Sequence, residues 1–370
     1  MKVVFTGGGT GGHIYPALSL WQHMKTVHPD ASALYIGTNE GLERGIVSRT
    51  ELPFCAISAA GLKRQLNLSA AKTAGKTLRG YFQAKRHLRT FKPDVVVGTG
   101  GYVTLPVIYA ARALGIPSVI WEGNARPGLT NQLCARRATA VAVVFPDSRK
   151  WFRKDAAHVR VTGNPRASEV LQVKQADIDA MTRAHNVQPT QKLILVYAGS
   201  RGAETVNRVM AKMAERFSTR PTWRLMVVTG EKHFATAQIA FGQCPANVEL
   251  VPFFYDMPAV LPRADVVITR AGSSTLAEIC ALGLASILIP SPYVTANHQE
   301  QNAQQLASVG ATRMLREADL TPDVLWNELV KLLDGGEAEQ VRNAARSLAT
   351  PNAVESLYDL VMATVSDAVK

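Results

Sequence analysis

Apolar, β-branched runs that end in glycine-rich turns and are followed by helical periodicity recur along the chain. "KVVFTGGG", "ALYIGT", "DVVVGTGG", "SVIWEG" and "AVAVVF" lie in the first half, and "KLILVYAGS", "RLMVVTG", "VELVPFF", "DVVITRAGSS" and "ASILIPSP" in the second. Continuous hydrophobic strands alternating with helices call for parallel sheets covered on both faces. The pattern therefore predicts two doubly wound, Rossmann-like α/β domains. A length of 370 residues suits two cores rather than one. The seam is expected after "VTGNPRA", where a polar stretch over 168–190 is broken by Pro189 before a new strand. "AVESLYDLVMATVSDAVK" carries apolar residues at helical spacing and reads as a terminal helix that needs a surface to pack on.

Open α/β sheets bind ligands outside the carboxyl ends of their strands, so the glycine turns are the candidate sites. Gly7, Gly9 and Gly12 satisfy GxGxxG between a strand and a helix, which suits a phosphate or close approach of a ligand but equally a ligand-free turn. A dinucleotide site wants an acidic residue ending the second strand, about 20 positions on. That strand ends "YIGTNEGLE" with Glu40 late, which disfavours a nicotinamide enzyme. Comparable turns in both halves, "GTGGYVTLP", "AGSRGAETVN" and "RAGSSTLAEI", suggest instead a cleft that grips a sugar nucleotide from one side and an acceptor from the other. In the last of these, Thr275 and Glu278 also fit a capping box. Ser200 reads either as a helix N-cap or as a phosphate donor.

Cys55, Cys134, Cys244 and Cys280 are scattered, with no CxxC pair, so reduced, buried thiols are expected and no zinc site. No acidic pair of DxD type stands at a nucleotide site, so no metal or other cofactor is expected. With no signal-peptide pattern and no apolar run of about 20 residues, a cytoplasmic protein without a membrane span is expected. A formal net charge of +12 implies an anionic partner. From Leu52 to Pro93 there is no acid, while Lys63, Arg64, Lys72, Lys76, Arg79, Lys85, Arg86, Arg89 and Lys92 gather around Leu66, Leu68, Leu78, Tyr81 and Phe82. This region, 62–92, suits the surface of an anionic bilayer, and its alternative is an ordinary solvated helix. Nucleic acid is not expected, because no binding module or stacking platform of aromatics accompanies the charge.

"GGGTGGHIYPAL", "GTGGYVTLP", "GNARPGLTN", "VTGNP", "AGSRGAETVN" and "RAGSSTLAEICALG" with "HQEQNA" together resemble the MurG family of N-acetylglucosaminyltransferases. The resemblance implies a GT-B fold of two Rossmann-like domains facing a central cleft. It implies an amino-terminal acceptor and membrane domain of residues 1–165 joined by a returning helix 352–370, and a UDP-GlcNAc domain of residues 166–351. The implied reaction is inverting transfer of GlcNAc from UDP-GlcNAc to the C4 hydroxyl of MurNAc on a polyprenyl pyrophosphate carrier, by a peripheral enzyme on the cytoplasmic face of the cell membrane. The alternatives are another GT-B enzyme (a glycolipid synthase or a UDP-GlcNAc 2-epimerase) and a noncatalytic sugar-nucleotide sensor.

By matched position the resemblance places Thr10, Gly11 and Gly12 at the sugar nucleotide and Asn124 at the donor sugar. Ser200 falls at the diphosphate, and Phe254 where backbone reads the uracil. Ser273, Ser274 and Thr275 fall around phosphates and sugar, Glu278 at the ribose, Gln299 at GlcNAc hydroxyls and Arg166 as a donor-site cation. Tyr102 falls on the acceptor side, and Tyr102 and Glu122 are catalytic candidates beside His13. His13 is the candidate base, because imidazole titrates near neutrality, and its alternative is a structural histidine. Where the family commonly reads His-Glu-x-Asn this chain has "WEGN". Trp121 at the usual histidine predicts altered acceptor-side geometry.

Overall fold

The computed structural model describes residues 1–61, 68–152, 158–199, 202–254 and 256–369. Two compact units form, Met1–Ser168 with Asn352–Lys370, and Glu169–Pro351.

The first unit is built on a seven-stranded parallel sheet. Its strands are β1 (Lys2–Gly7), β2 (Ser32–Gly37), β3 (Phe54–Ala56), β4 (Val95–Gly100), β5 (Ser118–Glu122), β6 (Ala140–Val143) and β7 (His158–Val161), in the spatial order β3-β2-β1-β4-β5-β6-β7. Order reverses between β1 and β4, so the crevice of this sheet opens beyond the carboxyl ends of those two strands. Alternate residues feed two cores. Val3 and Phe5 face α1 (Gly11–Val27) together with Val97, Val119 and Trp121. Val4, Leu34, Ile36 and Val96 face the opposite layer. That layer includes α3 (Leu68–Phe91), α4 (Thr104–Ala113) and α5 (Leu129–Ala135), whereas α2 (Leu42–Val47) joins the α1 side through Val47. Burial on both faces explains why the strands read as unbroken apolar runs.

The C-terminal helix, Ala353–Val369, completes the first core. Val354, Leu357, Leu360 and Val361 recur at helical spacing and pack with Phe5, Leu20 and Met24. Tyr358 at its edge bonds His28 (OH···Nε2, 2.8 Å), and the Val354 amide donates to the Ser168 hydroxyl (3.3 Å), which ties together the two points where the chain leaves and re-enters the unit.

The second unit is a six-stranded parallel sheet of β8 (Lys192–Tyr197), β9 (Trp223–Val228), β10 (Val248–Val251), β11 (Val266–Thr269), β12 (Ala285–Leu288) and β13 (Arg313–Met314), ordered β10-β9-β8-β11-β12-β13. Its reversal lies between β8 and β11. Of the four cysteines, Cys134 and Cys280 are buried, whereas Cys55 and Cys244 keep partial exposure.

Leu357 is fully buried, so Leu357→Ala leaves a cavity under the returning helix. We expect a loss of about 2–5 kcal/mol from the first unit, read from its urea transition, with the second unit's transition unmoved.

Candidate active site

At the carboxyl ends of β1 and β4 the backbone turns nearly touch. The Gly8 amide donates to the Gly100 carbonyl (3.1 Å). A side chain at Gly101, where φ is +84°, would bring its Cβ within 2.2 Å of the Gly8 carbonyl oxygen. Glycine at 101 is therefore a steric requirement of this contact. A register shift between Thr6 and Gly7 bulges β4 at Thr99, whose hydroxyl reaches the His13 carbonyl (2.5 Å) and the Thr6 carbonyl (3.3 Å). The bulge thus pins the first turn of α1 to the sheet.

His13 sits in that turn, half-buried. Its Nδ1 lies 2.9 Å from the Gly8 carbonyl oxygen and 3.4 Å from the Thr10 hydroxyl. A carbonyl can only accept, so the neutral ring carries its proton on Nδ1 and leaves Nε2 basic. Burial pushes the His13 pKa below the ordinary 6.5, opposed by the Gly8 bond and the charge of Glu43. Gly100, at φ +110°, lies against the far edge of the imidazole, where a Cβ would stand 3.1 Å from Nε2.

Glu43, from α2, lies beneath this loop with no exposed surface. Its Oε2 accepts from the Gly9 amide (3.1 Å), and its Oε1 from the amide (2.9 Å) and hydroxyl (2.6 Å) of Thr38. The Thr38 hydroxyl lies 3.4 Å from the Tyr102 hydroxyl. Glu40, the acid considered at the end of β2, is exposed, and the acid that closes on the loop is Glu43, three residues on. The available signal was an acid after "GTNEG", flanked by glycines that leave it room.

Glu122 is the second buried carboxylate. Its Oε1 accepts from the backbone (2.8 Å) and side-chain (3.1 Å) nitrogens of Asn124, and its Oε2 from the Gly128 amide (3.1 Å) and Asn131 Nδ2 (2.9 Å). Burial pushes its pKa up, and these four bonds oppose the rise. Both oxygens are committed to shaping the loop that carries Asn124.

Two expectations about this unit change. Trp121 is 1% exposed and packs in the core shared with the C-terminal helix, so its indole does not line the acceptor side. Its Nε1 donates to the Gly163 carbonyl (3.1 Å), and through that bond it supports the turn carrying Arg166. Arg166, expected at the head of the second domain, belongs to the first unit. Its amide bonds Asn164 Oδ1 (3.1 Å), and its guanidinium lies 5.5 Å from the Tyr15 ring centroid, which brings it beside the first turn of α1 with Thr10, Gly11 and Gly12.

In the second unit, the turn after β11 leads into the helix Ser273–Leu282, whose first turn holds Ser273, Ser274 and Thr275. Gly272 is the N-cap, so Thr275 stands inside the helix and the capping-box reading is corrected. Glycine takes this cap position without a side-chain bond. Asn302, fully buried, donates from Nδ2 to the Ala271 carbonyl (3.1 Å) and holds the turn, a role the sequence reading missed within "HQEQNA". Arg270 is clamped by Glu317 (2.6 Å) and the Ile289 carbonyl (3.0 Å). Glu278 is buried, 6% exposed. Gln299 accepts from the Ser291 amide (2.9 Å). Phe254 packs edge-on against His185, centroids 4.9 Å apart, and His185 is held by Glu249 (2.7 Å). Ser200 lies outside the described residues, as do Lys63, Arg64 and Leu66.

Residues 3–143 match the glycosyltransferase family 28 N-terminal domain, and residues 193–359 its C-terminal domain. The UDP-N-acetylglucosamine–N-acetylmuramyl-(pentapeptide) pyrophosphoryl-undecaprenol N-acetylglucosamine transferase of an Exiguobacterium species is 44% identical over 363 residues, 98% of this chain and 99% of its own. Transferase 1 of the same name from Bacillus thuringiensis is 43% identical over 366 residues, 98% of each chain. The chain belongs to the MurG family. The crystal structure of Acinetobacter baumannii MurG superposes with a TM-score of 0.75 at 28% identity, over 98% of this chain and 99% of that one. A Neisseria meningitidis UDP-GlcNAc 2-epimerase shares the fold at 16% identity, with a TM-score of 0.68 over 99% of this chain and all of its own. Paired parallel sheets and these neighbours fit the GT-B fold.

Gly100→Ala sets a Cβ against the His13 ring at a backbone angle that L-residues rarely adopt. We expect a destabilisation of roughly 1–3 kcal/mol in chemical denaturation, together with a displaced His13 ring signal in NMR.

Proposed function

We infer that this chain is a UDP-GlcNAc-dependent hexosyltransferase that moves GlcNAc to the MurNAc sugar of undecaprenyl-pyrophosphoryl-MurNAc-pentapeptide, converting lipid I to lipid II in peptidoglycan synthesis. The observation that carries the reading is identity of 43–44% with transferases of this name along 98% of the chain.

We further propose how the residues divide the work. The MurNAc C4 hydroxyl attacks C1 of GlcNAc as the bond to UDP breaks, and its proton passes to Nε2 of His13. Two features support His13: a fixed Nδ1 tautomer, which leaves Nε2 as the basic nitrogen, and a pKa held below 6.5 so that the ring is neutral at pH 7. Activity should then fall only on the acid side of 6.5, because protonation removes the base. Glu122 shapes the loop that presents Asn124 to the sugar, and Tyr102 flanks the same crevice. In the second unit, the N–H groups and hydroxyls at Ser273, Ser274 and Thr275 receive the diphosphate at a helix N-terminus, which favours anions. Glu278 holds the ribose, Gln299 the GlcNAc hydroxyls, and the backbone at Phe254 the uracil.

UDP release from UDP-GlcNAc with the lipid-linked acceptor tests these roles. His13→Ala should lower kcat by about 10²–10⁴-fold, the usual worth of a general base, with donor affinity kept. Glu278→Ala should chiefly raise the donor KM. Native turnover in His13→Ala would remove the base assignment.

Among the described residues no helix is long and apolar enough to cross a membrane. We propose that α3 attaches the enzyme to the cytoplasmic face of the membrane. Leu78 and Phe82, one turn apart, are 59% and 61% exposed, and Lys76, Arg79, Arg86 and Arg89 are exposed around them. Gly80 has no room for a Cβ because the Ser58 carbonyl oxygen would lie 1.9 Å away, so the helix is seated closely with this face outward. Leu78→Glu with Phe82→Glu should cut partitioning onto phosphatidylglycerol vesicles by about tenfold or more. Unchanged co-sedimentation would contradict the membrane role of this face.

A further inference from the structure

The glycines around Glu43 leave space for its carboxylate. A Cβ at Gly8 would stand 2.7 Å from its carboxyl carbon, one at Gly41 2.1 Å from Oε2, and one at Gly37 2.7 Å from Cγ. Three backbone segments thus close on one anionic side chain: the loop after β1, the end of β2, and the turn into α2. A buried carboxylate without partners is very costly, whereas one that accepts from two amides and a hydroxyl can hold those donors in place. The Gly9 amide is one of the three, and the Gly8 carbonyl next to it fixes the His13 ring. The Thr38 hydroxyl carries the same network to Tyr102.

We propose that Glu43 is a positioning residue for glycosyl transfer: its carboxylate holds the Gly8–Gly9 turn, and through the Gly8 carbonyl it sets the place and tautomer of His13. This rests on the reading of His13 as the base. Among the described residues the only charge acting on His13 is that of Glu43; the Thr10 hydroxyl and the Gly8 carbonyl face its Nδ1, and Gly100 lies against the far edge of the ring. Glutamine keeps the shape of Glu43 but not its charge. With its amide oxygen still on Thr38, it turns an NH2 group toward the Gly9 N–H and repels the loop that the acid holds.

The experiment compares the full-length wild type, Glu43→Gln and Thr38→Val in steady-state transfer from UDP-GlcNAc to the lipid-linked acceptor, with the His13 ring titrated by NMR in each. Glu43→Gln should lower kcat by about 10–100-fold with little change in donor KM, since displacement of a reacting group by an ångström costs on that scale. Its His13 titration should move to lower pH, because the anion that favours imidazolium is gone. Thr38→Val, which loosens one side of the carboxylate but keeps its charge, should lower kcat to a smaller degree with a displaced His13 ring signal, and it decides the matter if Glu43→Gln does not fold. Wild-type kcat in the folded variants, a loss of kcat in Glu43→Gln with an unmoved His13 titration, or a loss of kcat in Thr38→Val with an undisplaced His13 signal overturns the proposal. Absence of transfer in the wild type would instead overturn the functional reading, and the His13 titration would still test the contact.

Discussion

The contact between the Gly8 amide and the Gly100 carbonyl is the constraint on which the first unit's site depends. Parallel neighbours β1 and β4 feed helices on opposite faces of the sheet, and their chains should diverge at the switch point. Here they are drawn together instead, because neither turn carries a side chain at the point of approach. That closeness puts His13 beside Gly100 and directs its Nδ1 to the Gly8 carbonyl, which leaves one nitrogen basic. Two buried acids stabilise the shape from below and beside. Glu43 gathers the loops after β1 and β2, and Glu122 gathers the loop after β5. Each uses charge-assisted bonds to backbone amides, which are stronger than neutral ones and fix loops that have no strand partners.

The second unit holds its turns with amides and with the Arg270–Glu317 ion pair. Its turn after β11 is held by the Asn302 amide and its turn after β12 by the Gln299 amide, while the helix cap is a bare Gly272.

Much of the fold was legible in the chain because parallel strands covered on both faces must be apolar throughout, and "KVVF", "DVVV" and "DVVIT" have no other comfortable place. The glycine turns were legible too, as places of close approach. What they approach was not. The partner of Gly8 and Gly41 is Glu43, a residue from the next βα unit, and nothing local says that the end of β2 folds over the β1 loop. Trp121 read as a change in the site because its neighbours Glu122 and Asn124 belong there, but alternation along β5 sends it to the opposite face, into the core. The Thr275 and Glu278 spacing fitted a capping box, yet the helix begins earlier because Gly272 can take the cap conformation without help. Arg166 fell on the wrong side of the seam because the Asn164 turn and its stack on Tyr15 are tertiary contacts.

The central claim is a single displacement in which this chain delivers GlcNAc from UDP to an acceptor sugar with one proton passed to His13. The most direct measurement incubates the protein with UDP-GlcNAc, with and without the lipid-linked MurNAc-pentapeptide, and determines by NMR the anomeric configuration of any new linkage. The account predicts UDP only when acceptor is present, and a β-linked disaccharide. An α linkage, or consumption of donor without acceptor to yield its C2 epimer, would contradict it.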